Sequence, residues 1–224
     1  MYGRPRMRVL TWNLYHGRAR PPAGRALLDE FAGALAAWRW DVALLQEVPP
    51  WWPPALAAAC SAQERHVLTS RNLGLTLRRA ISVRAPDLLK ANGGGANAIL
   101  VRGDVLAHRA AQLRRWPERR RCHGVRLTDG TWMVNVHAQN LPSRLALADC
   151  ERALAAALAW AGDAALVFGG DVNLARPPTF AGLRHVAGNH VDHLFASGLV
   201  PAGPSEVLER GRLSDHPPVA VELA

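Results

Sequence analysis

Short apolar runs of strand length recur along this chain, and their irregular spacing restricts the possible folds more than any other feature. Two longer segments, residues 24–38 and 143–160, instead carry apolar residues at helical spacing, and a short helix is predicted after Trp51 and Trp52. Residues 66–90 fit neither pattern clearly. Because strands outnumber helices without strict alternation, a doubly wound parallel sheet is not expected. The predicted strands are residues 9–12, 42–45, 98–102, 125–127, 132–136, 166–168, 194–196 and 219–223.

The length of 224 residues fits one large domain or two small ones. Hydrophobic residues make up 49% of the chain and charged residues 20%, so a sizeable core can be buried. No repeat, linker or low-complexity tract divides the sequence. We therefore expect a single domain over residues 1–224 that acts as a monomer. Residues 1–6 are expected to form a short flexible N-terminus, with Met7 as an alternative start.

Targeting and cysteine patterns indicate a cytoplasmic protein. No apolar run approaches the length of a membrane span, and the first residues lack the apolar stretch of a secretory signal. Cys60, Cys122 and Cys150 are widely spaced and form no Cys-x-x-Cys pair. This spacing predicts neither a zinc site nor a disulfide framework, and favours reduced, buried thiols.

The chain is strongly basic, with a formal net charge of +9 and a pI near 11.0. A positive surface attracts polyanions such as nucleic acid or anionic lipid. Lys90 is the only lysine, and the chain is rich in Ala, Gly and Pro, as expected from a GC-rich genome. Such codon bias explains why arginine replaces lysine but explains the positive excess less well, so the charge gives weak support for a nucleic-acid substrate.

Polar residues directly follow several of the apolar runs or begin the next one. If these strand ends lie at one edge of a sheet, the polar groups converge on one site. Oxygen donors of this kind suit Mg²⁺ or Mn²⁺ rather than zinc, and carboxylates, amides and imidazoles without cysteine fit phosphoryl chemistry. The residues are Asn13, Glu47, His137, Asp171, Asn173, Asp192 and Ser214-Asp215-His216.

The same motifs resemble those of the endonuclease/exonuclease/phosphatase superfamily, which includes deoxyribonuclease I, abasic-site endonucleases, inositol polyphosphate 5-phosphatases and bacterial sphingomyelinases. Any one motif alone is weak, but all occur in the family's order and cover nearly the whole chain. The resemblance implies a four-layered α/β/β/α sandwich with two mixed β-sheets packed face to face. The motifs are Thr11-Trp12-Asn13, Leu45-Gln46-Glu47, Asn97-Ala98-Ile99-Leu100, Asn135-Val136-His137, Gly170-Asp171-Val172-Asn173, Val191-Asp192-His193 and Ser214-Asp215-His216.

The resemblance also implies a metal site for Mg²⁺ or Mn²⁺. Glu47 resembles the family's principal metal ligand, with Asn13 beside it, and Asp215 resembles a residue that binds or orients a metal. From the residues alone, Asn13 also suits the cap of a turn, and Asp215 also suits a structural hydrogen bond. Glu47 is less easily explained as a surface carboxylate, because charges seldom follow a buried strand so abruptly.

The catalytic roles implied by the resemblance fall on five residues. Asp171 would orient or deprotonate the attacking water, and Asn173 would bind the scissile phosphate or that water. His216 would contact the phosphate, with Asp192 as its orienting carboxylate, and His137 resembles the second histidine of deoxyribonuclease-like members. Turn formation remains the alternative for Asp171 and Asn173, and a structural role the alternative for His137.

Substrate contacts are predicted for Asn97, Arg120, Trp51 and Trp52. Asn97 resembles a family position near the substrate phosphates, but it also suits a turn after three glycines. Arg120 belongs to the arginine-rich run 114–121, which either grips phosphate or forms a solvated face. Trp51 and Trp52 either stack on bases or pack beneath the rim of the site. His193 is read as structural, because strand alternation points it away from Asp192.

Together these features predict a hydrolase in which water attacks phosphorus in line. A nuclease acting on DNA is the leading hypothesis, because the chain is basic and His137 matches deoxyribonuclease-like members. A phosphatase or phosphodiesterase for a small or lipid phosphate is the alternative, since the shared chemistry does not select a leaving group. A non-catalytic nucleic-acid-binding relative is the third reading, which the intact set of polar residues disfavours.

Overall fold

Two six-stranded mixed sheets and four helices make up the part of the chain that the computed structural model describes, residues 6–70, 72–88 and 95–224. The predicted flexible N-terminus lies outside these residues except for Arg6. The helices are α1 (Leu28–Ala37), α2 (Pro53–Ala59), α3 (Leu75–Arg84) and α4 (Ser143–Ala161). The strands are β1 (Met7–Asn13), β2 (Val42–Val48), β3 (Gln63–Leu68), β4 (Ala96–Val101), β5 (Val105–Arg114), β6 (Arg120–Leu127), β7 (Trp132–His137), β8 (Leu166–Asp171), β9 (Arg184–Asn189), β10 (Asp192–Ser197), β11 (Glu206–Val207) and β12 (Val219–Leu223).

Each sheet is built around one central parallel pair. The first sheet has the order β11-β12-β1-β2-β4-β3 and the second the order β5-β6-β7-β8-β10-β9. Strands β1 and β2 run parallel, as do β7 and β8, and the other pairings are antiparallel. In a parallel pair the carboxyl ends of both strands reach the same edge, so each sheet presents two strand ends together.

Three apolar clusters separate the four layers. Side chains alternate along each strand, so Val9 of β1 faces the second sheet while Leu10 and Trp12 face α1 and α2. Val167 of β8 likewise faces the first sheet, and Phe168 packs in the cluster that includes α4. The order helix, sheet, sheet, helix confirms the predicted α/β/β/α sandwich.

A buried polar network joins the two sheets below the ends of the parallel pairs. The amide nitrogen of Asn135 donates to the carbonyl oxygens of Leu45 and Ala98, both at 2.9 Å. The amide nitrogen of Gln46 donates to Asn135 Oδ1 at 2.8 Å. These bonds cross from β7 to β2 and β4, so they oppose sliding of one sheet over the other.

Two consecutive glycines let β8 approach its neighbours at this level. A Cβ on Gly169 would lie 2.0 Å from the carbonyl oxygen of His193. A Cβ on Gly170 would lie 2.3 Å from the carbonyl oxygen of Val136 and 2.8 Å from the amide nitrogen of Gln46. Both residues also have positive φ, so any side chain here would push β8 out of register.

The structure adds four strands to the sequence prediction. The sequence did not predict strands β3, β5, β9 and β11. Each is an edge strand of its sheet and pairs with one neighbour. Most of their residues are exposed or only partly buried, so they lack the continuous apolar runs of the buried central strands. The ambiguous region 66–90 contains the end of β3 and helix α3, and helix α1 begins at Leu28 rather than near Gly24. Among the described residues, no helix is long and apolar enough to span a membrane.

Candidate active site

The ends of the two central parallel pairs meet at one edge of the sandwich. Asn13 ends β1 and Glu47 lies near the end of β2, while His137 ends β7 and Asp171 ends β8. Strand β10 enters from the same edge, where Asp192 lies opposite Asp171 in the antiparallel register. The topology therefore brings together the polar residues that the sequence placed after separate strands.

Strained backbone is concentrated around these strand ends. Five non-glycine residues there have φ between 49° and 63°, a region that L-residues rarely adopt. Such conformations persist only where surrounding contacts fix them, and they cluster at functional sites. The residues are Tyr15, His16, Glu47, Asn173 and Ser214.

The loop that carries His216 is attached to the end of β1 by hydrogen bonds. Ser214 Oγ donates to the carbonyl oxygen of Asn13 at 2.6 Å and accepts from the backbone N–H of His216 at 3.0 Å. The indole N–H of Trp12 donates to the carbonyl oxygen of His216 at 2.9 Å. These contacts fix the position of the imidazole relative to β1.

His216 and Asp192 form a hydrogen-bonded pair, with 2.8 Å between Nδ1 and Oδ2. Burial lowers the pKa of His216, but the hydrogen bond and charge of Asp192, with the charges of Asp171 and Asp215, outweigh it and raise the pKa to about 9. Burial also raises the pKa of Asp192 to about 7, so the two groups compete for one proton. We place that proton on His216, because the Asp171 and Asp215 charges favour an imidazolium there.

Asp171 is oriented by two donors. Its Oδ2 accepts from the amide nitrogen of Asn13 at 2.8 Å, and its Oδ1 accepts from the backbone N–H of Asn173 at 3.0 Å. His137 Nε2 lies 3.5 Å from Oδ2. Burial raises the pKa of Asp171, and the positive charge of His216 and the Asn13 hydrogen bond oppose that rise. The side-chain nitrogen of Asn173 donates to the carbonyl oxygen of Ala138, which fixes the amide beside the carboxylate.

Glu47 is held by His16, a residue that the sequence did not single out. The distance from His16 Nε2 to Glu47 Oε2 is 3.0 Å, and His137 Nε2 lies 3.8 Å from Oε1. Burial, with the charges of Arg18 and Arg120, lowers the pKa of His16 to about 4, so the imidazole beside Glu47 is neutral near pH 7. The only sequence signal was its position three residues after Asn13, in a turn whose positive φ values are not visible in the residue types.

These side chains line a cleft with a volume of about 240 Å³. Carboxylate oxygens of Glu47, Asp171 and Asp215 border it, and Oδ1 of Asp215 is buried without a hydrogen-bond partner in the described part of the chain. Such oxygen donors fit a hard divalent cation. Donor atoms of Asp171, Asp192 and His216 also lie within 4.8 Å of one another, but Asp192 already engages His216, so we favour Glu47 as the principal ligand.

The amide of Asn13, predicted as a metal ligand beside Glu47, makes two contacts within the protein. Its nitrogen donates to Asp171, and its oxygen accepts from the backbone N–H of Tyr15 at 2.9 Å. Both polar atoms therefore have protein partners. The geometry assigns Asn13 to positioning Asp171 and the turn that carries His16.

The arginine-rich run 114–121 divides between several environments. Arg120 lines the cleft and is only 5% exposed, with Nη2 2.6 Å from Glu118 Oε2 and a buried Nε that has no partner in the described residues. Nε of Arg114 instead donates to both carboxylate oxygens of buried Asp149. Arg119 donates to the carbonyl oxygen of Thr69 at 2.9 Å. The run is therefore neither a phosphate-binding segment throughout nor a solvated face throughout. Of its arginines, Arg120 lines the cleft.

Burial corrects two of the predicted substrate contacts, those of Trp52 and Asn97, and Trp51 lies partly buried outside the cleft. Trp52 is 5% exposed and packs against Phe31 and over Gly17, so its ring is not available for stacking on a base. Trp51 packs partly against the same core cluster and does not line the cleft. Asn97 is buried on β4, where its amide donates to the carbonyl oxygen of Arg121, and it also does not line the cleft.

His193 has the structural role that strand alternation predicted. Its Nδ1 lies 3.1 Å from His185 Nε2, and its Nε2 lies 3.0 Å from the carbonyl oxygen of Leu174. Neighbouring residues of β10 thus have different roles: Asp192 lies in the site, and His193 packs away from it.

Solved structures with the same fold cover almost all of this chain. An endonuclease/exonuclease/phosphatase protein from Beutenbergia cavernae DSM 12333 aligns with a TM-score of 0.74 at 19% identity, over 98% of this chain and 72% of that one. Truncated TDP2 from Caenorhabditis elegans aligns with a TM-score of 0.67 at 16% identity, over 97% of both chains. The Bacteroides thetaiotaomicron VPI-5482 mannosyl-6-phosphatase Bt3783 aligns with a TM-score of 0.70 at 16% identity, over 97% of this chain and 99% of that one.

The sequence itself matches a family model. No curated protein sequence matches the chain. The model of the endonuclease/exonuclease/phosphatase family, however, matches residues 10–216, which include every strand end of the site. The chain therefore belongs to the endonuclease/exonuclease/phosphatase family, whose members are hydrolytic phosphoesterases.

Proposed function

We propose that the protein is a Mg²⁺- or Mn²⁺-dependent phosphodiesterase that hydrolyses DNA by in-line attack of water on phosphorus. The observation that carries this proposal is that one cleft holds both an oriented carboxylate and an imidazole paired with a second carboxylate. Asp171 is held by Asn13 and Asn173, and His216 is held by Asp192. This arrangement offers a proton acceptor and a positive charge to the same reacting group.

In the proposed reaction, Asp171 orients the attacking water and accepts its proton. The imidazolium of His216 stabilises the negative charge that gathers on the phosphoryl oxygens, and Asp192 keeps that imidazole charged and correctly turned. Glu47, with Asp215 nearby, would hold the divalent cation, and the His16 imidazole lies 3.0 Å from one Glu47 oxygen, where it limits the motion of that side chain. A bound cation would supply Lewis-acid polarisation of the phosphate.

DNA is favoured over other phosphate esters by charge. The net charge of +9 attracts a polyanion, and Arg120 places a buried guanidinium within the cleft. A guanidinium with an unpartnered Nε suits a phosphate oxygen that approaches from the cleft.

A small phosphate ester is the second candidate, and the size of the cleft favours it. A volume of about 240 Å³ accommodates a small substrate without contacts beyond the cleft, and the carboxylate of Glu118 can accept a hydrogen bond from a hydroxyl group. The fold similarity to a mannosyl-6-phosphatase supports testing sugar phosphates, although identity is only 16%.

A substrate screen separates these functions. We expect hydrolysis of single- or double-stranded DNA with Mg²⁺ or Mn²⁺, none in excess EDTA, and hydrolysis slower by about three decades with the Asp171→Asn variant purified in parallel. The panel should include abasic DNA, RNA, inositol phosphates, sphingomyelin and mannose 6-phosphate. Turnover of a small ester at rates far above those for DNA would replace the DNA proposal, and full turnover in EDTA would remove the metal from it.

A further inference from the structure

A second, wider groove lies beside the catalytic cleft. It has a volume of about 430 Å³ and is bordered by the end of β3 and by the turn between β5 and β6. Its apolar surface comes from Leu68, Leu73 and Trp116, of which Leu73 is 79% and Trp116 is 74% exposed. Exposure of large apolar side chains this close to a catalytic cleft is unusual for a surface with no binding role.

The charged side chains of the groove are all cationic. Arg115 and Arg119 flank Trp116 along the turn, and no carboxylate is among the described residues that line the groove. Arg119 is fixed in place, because its Nε donates to the carbonyl oxygen of Thr69. A groove lined by an aromatic ring and two arginines complements a planar, apolar group that carries negative charge beside it.

The groove is continuous with the catalytic cleft. Ser70 lines both of them, and the neighbouring residues Arg119 and Arg120 line the groove and the cleft respectively. A chain molecule whose phosphate occupies the cleft next to Arg120 therefore has a path past Ser70 into the groove. This continuity favours a polymer of alternating phosphates and planar groups over an isolated small ester.

We propose that the groove binds an unpaired nucleotide adjacent to the scissile phosphate of a single-stranded polynucleotide. Its base stacks on Trp116, and its phosphate contacts Arg115 and Arg119. This inference rests on the proposed hydrolysis of DNA and gives the protein a preference for single-stranded or frayed substrates. Stacking requires an exposed base face, which a fully paired duplex does not offer.

Binding without turnover tests the groove directly. Fluorescence anisotropy of a labelled single-stranded oligonucleotide in EDTA should show tighter binding than the matched duplex. Trp116→Ala should weaken single-strand binding about tenfold and leave duplex binding within about twofold. Arg115→Ala should weaken both through loss of a phosphate contact. The matched controls are Leu106→Ala, an exposed apolar residue at the other end of β5, and Arg184→Ala, an exposed arginine on the far edge strand β9.

The outcomes distinguish this inference from the proposed function. Unchanged single-strand affinity in folded Trp116→Ala, or equal binding of strand and duplex by the wild type, overturns the groove assignment even if DNA is hydrolysed. Conversely, if Trp116→Ala weakens binding as expected but no DNA is cut with Mg²⁺ or Mn²⁺, the groove assignment stands and the proposed hydrolysis fails. Circular dichroism of each variant shows whether a lost affinity reflects lost folding.

Discussion

The catalytic cleft and the neighbouring groove differ in how their side chains are held. In the cleft Asp171 and His216 are largely buried and fixed by hydrogen bonds, and several neighbouring residues lie on strained backbone. In the groove the apolar side chains are largely exposed, and the cations lie on a surface turn. Stabilising a transition state requires charges in fixed positions, whereas binding of a flexible nucleic-acid strand tolerates side chains that can move. Substitutions in the cleft should therefore change kcat, and those in the groove should change substrate affinity.

The largest effect is expected for Asp171→Asn. We expect kcat to fall by about three decades, roughly 4 kcal/mol of transition-state stabilisation, because an amide can orient water but cannot accept its proton. His216→Ala should cost a similar amount, and the double variant should be little worse than either, since both residues act on one step. Steady-state kinetics and thermal melts of the three variants measure this. Retention of more than about a tenth of wild-type kcat by folded Asp171→Asn contradicts the assignment.

A smaller loss, of about two decades in kcat, is expected for Asp192→Asn, together with a changed pH profile. Asp192 raises the pKa of His216 to about 9, whereas burial lowers it, so the amide should let that pKa fall. The imidazolium would then be lost at lower pH, and the alkaline limb of kcat should move towards neutrality. Profiles of kcat against pH for both proteins test the sign, and an unmoved limb would separate Asp192 from the charge on His216.

His16→Ala should have an intermediate effect, about tenfold in kcat/KM, through the position of Glu47. The imidazole lies 3.0 Å from Glu47 Oε2, and loss of a side chain that positions a metal ligand commonly weakens metal binding by tenfold or more. The Mg²⁺ concentration for half-maximal activity should rise accordingly. His16→Gln can still donate an N–H and should recover part of the loss. Equal Mg²⁺ dependence in all three proteins would exclude this role.

The smallest effect is expected for the salt dependence of DNA binding. Arg115→Ala should reduce the slope of log K against log salt by about one, since one phosphate contact is lost. Arg184→Ala should leave the slope unchanged, and neither substitution should alter kcat for a small chromogenic phosphodiester. A slope that both variants change equally would show that the basic surface as a whole, and not the groove, binds the strand.

The sequence predicted the centre of the molecule better than its edges. Central strands such as β2 and β8 are buried on both faces, so their apolar runs are continuous and the polar residue that ends each run is conspicuous. Edge strand β5 has one exposed face and mixes arginine, alanine and histidine, so nothing in its composition marks a strand.

The errors within the site have equally physical causes. His16 lies in a turn with positive φ, which its residue type does not predict, and its contact with Glu47 joins two strands. The sequence allowed Trp52 either to stack on a base or to pack beneath the rim, and the missing side chain of Gly17 leaves space in which its ring is buried. Such contacts depend on tertiary packing and not on local pattern.

The hydrogen bonds of the Asn135 side-chain amide determine which sequence changes this protein tolerates. Glu47 belongs to one sheet and Asp171 to the other, so the separation between them is set by how the sheets are stacked. Asn135 fixes that stacking by bonding to carbonyl groups of two strands in the opposite sheet. Outer strands and helices can therefore vary in length and composition without moving the reacting groups. Substitution of Asn135, by contrast, should reduce activity at temperatures at which the protein is still folded by spectroscopic criteria.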